Sequence, residues 1–320
     1  MFISDHPKAA GIVHINAEDL IEVNKCRVCS AERFEKIGVY REDPEIHFVR
    51  CQNCQSVTYD RIFKQSAIDA MYNEEQYYDD TEESGKVTFY GTKRFADHLM
   101  KYCKRINKPV IRMLDLGGGD GAVSYALARQ FCEKYNDVRC EITVVDYGNL
   151  LYKKNDEKIS MTHCFPIDSI PDDNHFDILI ASAVLEHIPD AGNVFRKLFS
   201  LMDYGSVLYF RTPYRYPLYK LAKHFGIEFD MLYPGHIWDF GGHYWWKRLP
   251  ECFGVEKDGI SVIASRPSIV EKTFRSHFFV ALASYLLKAP WYICHKWPYV
   301  GGWEAVYTKK LPVGGTSDAS

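Results

Sequence analysis

Apolar and polar positions along the chain fall into two regimes. From about residue 108 onward, short apolar runs recur: Ile111-Arg-Met-Leu-Asp-Leu116, Cys140-Glu-Ile-Thr-Val-Val145, residues 160–165, Phe176-Asp-Ile-Leu-Ile-Ala-Ser-Ala183 and Gly205–Pro213. Runs of that length and composition are strands buried on both faces. Between them, Ala122–Arg129 and Ala191–Met202 carry apolar residues three and four apart, the spacing of helices. Strands alternating with helices predict an α/β fold with a mainly parallel sheet and helices on both faces. Residues 92–107 read as a further helix with Phe95, Leu99, Tyr102 and Ile106 on one face, and Trp303–Lys309 as a last strand. The apolar segment 274–293 is too short to span a bilayer and reads as a core helix returning to the sheet. The alternative is a surface helix touching a membrane or a lipid-linked glycan, with Arg275, Ser276, His277, Ser284 and Lys288 as its polar positions.

The stretch between the first strand and its helix is the most informative. Asp115 ends the strand, and glycines follow at 117, 118, 119 and 121. Such a turn lets a ligand approach the backbone, and the helix start behind it offers free amides. The spacing Gly117-x-Gly119-x-x-Ala122 also fits a dinucleotide fingerprint, so the turn alone leaves NAD open. Asp115 tips the balance. A carboxylate there would repel a pyrophosphate but suits a ligand with an ammonium group, as S-adenosylmethionine has. Asp146 ends the second strand and is placed to take the hydroxyls of a ribose; capping the next helix is its alternative role. Asp115, Asp146, Asp168, Glu186 and Thr212 all fall at or near strand carboxyl ends, where such sheets bind ligands.

Ahead of this region lies Cys26-Arg-Val-Cys29, then Cys51-Gln-Asn-Cys54. Two such pairs supply the four thiolates of a tetrahedral zinc site, and short strands between them predict a zinc ribbon over 21–65, with a redox pair as the alternative. Four protein ligands leave no open position, so the zinc is structural. Ser30 and Gln55 stand where such knuckles often carry glycine. Residues 66–107 read as a helical linker and cofactor cover, with Tyr77 or Tyr78 as candidates to lie over the ligand. The α/β domain that carries the glycine turn then runs over 108–312, and 313–320 reads as a disordered tail. The ten cysteines of a chain without a signal-peptide pattern read as thiols and metal ligands, with the cytoplasm as the expected location. A net charge of -3 argues against a general nucleic-acid binder.

Taken together, Asp115-Leu-Gly-Gly-Gly-Asp-Gly121, Val145-Asp146 and Phe176–Asp190 make residues 108 to about 213 resemble the class I S-adenosylmethionine-dependent methyltransferases. The resemblance implies a Rossmann-like methyltransferase fold. It implies that Asp115 and Gly117 hold the methionine amino group, and that Gly119 and Gly121 line the cofactor. It further implies that Asp146 binds the ribose and Tyr147 lies beside the adenine. Asp168 is assigned to the adenine amino group, although Pro166 occupies the usual register of that acid. With the cysteine module, the chain resembles small-molecule methyltransferases related to nucleotide-sugar C-methyltransferases. A Tyr-x-x-His pattern of that subgroup is matched by Tyr233-Pro-Gly-His236. The long C-terminal domain of the true C-methyltransferases is missing, which favours methylation of oxygen, then nitrogen.

A hydroxyl acceptor needs a base, and histidine titrates near working pH. The candidates are His236, in a segment over 232–246 that reads as an aromatic loop, with His243 behind it, and His187 at the end of the fourth strand; Tyr233 completes the catalytic set. The expected acceptor is a small molecule: a sugar, glycan or natural-product intermediate. Rival readings are an RNA methyltransferase gripping nucleic acid through its ribbon, and a non-catalytic or NAD-binding protein on the same turn.

Overall fold

A computed structural model of the chain describes residues 16–67, 91–148, 151–152, 156–227, 236–270, 272–275 and 277–310. Tyr77, Tyr78, Tyr233 and the tail 313–320 lie outside them.

The N-terminal module is built mainly of strands. β1 (Leu20–Glu22) precedes β2 (Phe34–Glu42), β3 (Glu45–Cys51), β4 (Val57–Tyr59) and β5 (Arg61–Phe63). β2, β3 and β4 form an antiparallel sheet, and β1 pairs with β5. After α1 (Thr92–Cys103) come β6 (Val110–Leu116), α2 (Ala122–Lys134), β7 (Arg139–Val145), β8 (Ile159–Cys164) and β9 (Phe176–Ser182). They are followed by α3 (Ala191–Ser200), β10 (Met202–Tyr214), α4 (Tyr216–His224), α5 (His243–Phe253), β11 (Ile260–Pro267), α6 (Phe278–Lys288) and β12 (Gly301–Lys309).

The large sheet has the order β11-β12-β10-β9-β6-β7-β8. Its pairings from β10 to β8 are parallel, and β12 runs antiparallel to both β10 and β11. The strand alternation explains the two-sided cover. Ile111 and Met113 of β6 pack with α1 and α2, whereas Leu114 and Leu116 join a second cluster with α3 and α5. The architecture is the mixed α/β, Rossmann-like methyltransferase fold, with a small cysteine-bearing module at its N-terminus.

The second cluster continues into that module. It includes Val28, Phe48 and Val57 beside Phe195, Phe240 and Trp246. Backbone bonds fasten the joint: Gly192 N–H donates to Arg27 O at 2.7 Å, and Val57 pairs with Asp239. A side chain at Gly192 would meet the Val28 carbonyl oxygen at 2.5 Å, so only glycine admits the first cysteine knuckle here. The module is part of one hydrophobic body with the large sheet.

Two elements differ from their sequence reading. The stretch read as an aromatic loop turns helical at His243, where Gly241 and Gly242 end the extended backbone and α5 buries Trp245, Trp246 and Leu249. The apolar segment 278–288 is helical, as expected, but it lies on the surface rather than in the core. Among its residues only Ala281 and Ser284 are buried, and most of the large side chains face out. No described helix is long and apolar enough to cross a membrane.

Candidate functional site

The glycine turn leaves β6 at the centre of the sheet, and its fold follows from two close approaches. A side chain on Gly118 would sit 2.5 Å from the Asp115 carboxyl carbon, so the turn folds down over that carboxylate. Gly119 adopts φ +59°, and the space where its side chain would point is open to 4 Å. Gly117 lies against Val184, whose methyl groups fill the place of a missing side chain, and Gly121 leads directly into α2. The predicted turn glycines are therefore brought together, with an open face at Gly119.

Asp115 is 3% exposed, and its Oδ2 has no hydrogen-bond partner among the described residues. Burial pushes its carboxyl up to about 7, with the Asp146 and Asp120 charges adding to the effect against hydrogen bonding from Ser124. An orphaned buried carboxylate is costly unless a cation or donor meets it. The donor set thus fits the ammonium of an amino-acid ligand.

Asp146 occupies the end of β7, where its Oδ2 accepts from Gly119 N–H at 2.8 Å and its Oδ1 from Gly148 N–H at 3.3 Å. Each carboxylate oxygen keeps a further lone pair, so tying the turn in place leaves room for a diol. Tyr147 lies beside it, with its ring centroid 4.3 Å from that of Phe165 and its hydroxyl 3.1 Å from Gln65 Nε2. The sequence reading missed Phe165. Its signal was an aromatic residue directly after a strand, at the ligand end of the sheet. Asp168 sits in the short turn Ile167–Ser169 with an exposed side chain.

The turn after β9 carries Glu186 and His187. The Glu186 carbonyl accepts from Ile237 N–H at 2.8 Å and Trp238 N–H at 3.3 Å, which draws the 236–240 segment against it. The His187 and His236 rings consequently meet edge to face at 4.4 Å. His236 Nδ1 is enclosed with no hydrogen-bond partner among the described residues. Burial, then the charge of Arg215 and that of His187, hold its imidazole well below the usual histidine range. Arg215 was also missed; only its place just past the Thr212-Pro-Tyr214 strand end signalled it. Asp239 fixes the segment by accepting from the Arg215 and Tyr216 amides, each at 2.7 Å, at the start of α4. His243 is set apart, its Nδ1 3.0 Å from the Ser265 carbonyl oxygen.

The four predicted cysteines converge. Cys26 Sγ lies 3.7 Å from Cys54 Sγ, Cys29 Sγ lies 3.6 Å from Cys51 Sγ, and all four fall within 4.8 Å of one another without a disulfide. A tetrahedron with zinc–sulfur bonds of about 2.3 Å has edges of roughly 3.8 Å. The residues fit a zinc ion.

The family described as "Methyltransferase domain" matches residues 90–251, just over half of the chain. No curated protein matches the sequence. Similar solved structures include a CurJ carbon methyltransferase at 14% identity and TM-score 0.41, covering 69% of this chain and 54% of that one. They also include the plantazolicin methyltransferase BpumL in complex with SAH, at 11% identity and TM-score 0.42, covering 69% and 82%. The [4+2]-cyclase SpnF is similar at 16% identity and TM-score 0.43, covering 73% and 86%. This chain spans about half the length of the CurJ enzyme. The family match covers the glycine turn, both strand-end acids and the paired histidines: the chain belongs to the methyltransferase-domain family.

Proposed function

We propose that the protein transfers a methyl group from S-adenosylmethionine to a hydroxyl of a small molecule, with His236 as the base. The observation that carries this reading is the arrangement at the carboxyl ends of the central strands. The glycine turn that folds over the unsatisfied Asp115 carboxylate lies against Val184 at Gly117, and three residues after Val184, His187 meets His236.

Asp115 and the turn amides would hold the methionine end of the donor, Asp146 its ribose, and the Tyr147–Phe165 pair its adenine. Bound there, the donor supplies an electrophilic methyl group on a sulfonium. His236 is held in its neutral form, which can accept a proton; it takes the one released by the acceptor hydroxyl as oxygen bonds to carbon. Its low basicity calls for a positioned rather than a strong base, and positioning can supply on the order of 7 kcal/mol or more of the barrier. His187 orients the His236 ring from the side. Tyr233, Asp168 and the cover over 66–107 complete the proposed site.

The cysteine module 21–65 is proposed as a ribbon holding one structural zinc. Because its core is continuous with that of the domain over 108–312, the metal would stabilise the whole body rather than an appendage. The acceptor reading follows from the aromatic surroundings of His236, which suit a sugar or natural-product intermediate better than a polyanion.

The test is incubation with isotope-labelled S-adenosylmethionine and fractionated small-molecule extract, with mass identification of the product. A labelled methyl ether, and a His236→Gln variant that still binds the donor but turns over at least about a hundredfold more slowly, support the reading. Response to NAD in place of S-adenosylmethionine, or methyl groups on RNA alone, would replace it.

A further inference from the structure

The helix α6 is built inside out. Only Ala281 and Ser284 of its residues are buried against the protein, while Phe279 is 82% exposed and Leu286 63% exposed. The turn that follows adds Tyr292 and Ile293, the latter 91% exposed. Contiguous apolar surface of this kind marks a surface that binds something. Three further observations say what covers it.

The first is charge. Between Lys272 and Trp303 the sequence holds Lys272, Arg275, Lys288 and Lys296 and no acid, although the chain as a whole carries -3. Arg275 and Lys296 are exposed, and in sequence they stand before and after the exposed apolar residues of the helix and the turn that follows it. The second is attachment. Lys288 Nζ donates to Ser268 O at 2.6 Å and to Ser268 Oγ at 3.0 Å, and the Phe274 ring stacks on Tyr285 at 5.3 Å and 8°. The apolar face is thus presented by a fixed element. The third is position. β11 ends and β12 begins at the carboxyl end of β10, where Gly301 stands opposite Tyr214 and Trp303 opposite Thr212. The insertion lies at the sheet end that carries the site.

We propose that residues 274–296 dock on the surface of a bilayer containing anionic phospholipid. Exposed aromatic and aliphatic side chains would enter the boundary between headgroups and acyl chains, and the flanking cations would meet the lipid phosphates. A contact between two copies fits the charges poorly. Two-fold symmetry would set the basic rims of both chains against each other with no acid between Lys272 and Trp303 to pair them. The proposal is independent of which group the protein methylates.

Cosedimentation of the full chain with phosphatidylcholine vesicles, with and without phosphatidylglycerol, tests it. Wild type is expected to pellet with the anionic vesicles and to be released by salt. The paired change Phe279→Ser and Ile293→Ser weakens partitioning at least about tenfold. Arg275→Glu with Lys296→Glu removes the preference for phosphatidylglycerol. All four positions are exposed, and unchanged thermal unfolding of each variant checks that the fold is intact. Wild type left in the supernatant with both vesicle types would overturn the proposal. So would partitioning that the serine pair leaves unaltered, or a dimer in size-exclusion chromatography that the serine pair dissolves while vesicles stay bare.

Discussion

Asp115 and Glu304 are both buried carboxylates, at 3% and 0% exposure, yet their surroundings are opposite. Glu304, in β12, accepts hydrogen bonds from His98 at 2.9 Å, Arg266 at 2.8 Å, Tyr209 at 3.0 Å, Tyr102 at 3.1 Å and the Ile269 amide at 3.3 Å. Burial alone would raise its pKa, but the bonds from His98 and Arg266 overrule that and hold it at about 2. Asp115 has an oxygen with no partner among the described residues, and burial carries it to about 7. The comparison separates structure from function. A carboxylate whose partners all come from the protein joins α1 to the sheet, and the one left open under a glycine turn is the one we propose meets a ligand.

The comparison makes quantitative claims, the largest of them at Glu304. Removing one member of a buried charged network typically costs about 3–5 kcal/mol. Glu304→Ala is therefore expected to lower unfolding free energy by that amount in urea titration, with donor affinity unchanged while the protein is folded. The depressed pKa gives the sign of the pH effect. Glu304 contributes about 3 kcal/mol that is fully present above its ordinary value of 4.5 and is lost as pH falls through about 2.

Asp115 should behave the other way. Its raised pKa means that ionisation opposes folding increasingly from about pH 4 to about pH 7. Asp115→Asn is expected to leave the ligand-free protein as stable as wild type or, at pH 8, up to about 4 kcal/mol more stable. The same change should weaken S-adenosylmethionine binding ten- to a hundredfold, about 1.5–3 kcal/mol, the usual size of a hydrogen bond to a charged group. Loss of stability with binding intact would erase the distinction between the two carboxylates.

A smaller effect concerns the cysteine knuckles. Ser30 and Gln55 both adopt φ of 64°, the left-handed conformation in which glycine is at ease. Gln55→Gly is expected to relieve strain by up to about 1 kcal/mol, read as a small rise in melting temperature at constant zinc content.

These cases also show how much the sequence displayed. The glycine turn, the acids ending β6 and β7, the cysteine pairs and the parallel core strands were all legible, because each is a local pattern with a local cause. Ser30 and Gln55 were visible standing in glycine's place, but the strain they carry shows only in their backbone angles. The Glu304 network was not legible, since His98 and Glu304 lie 206 residues apart and nothing local pairs them. Nor was the outward face of α6. A helix apolar nearly all round has no period that says which side is buried, and length rules assigned it to the core. His187 and His236 were each visible. Their contact depends on the Glu186 carbonyl holding the 236–240 segment, a backbone bond that no side-chain pattern encodes.

The central claim is that Asp115 awaits a cationic ligand, and it is most directly tested by calorimetry of S-adenosylmethionine binding between pH 6 and 7.5. That window lies below the ligand amine's own pKa of about 7.7–8. Binding should tighten with rising pH, by up to about tenfold per unit, and should release a proton that appears as a buffer-dependent enthalpy. In Asp115→Asn both the pH dependence and the proton release should vanish. Affinity that is flat across the window in wild type, with no proton released, would contradict the account.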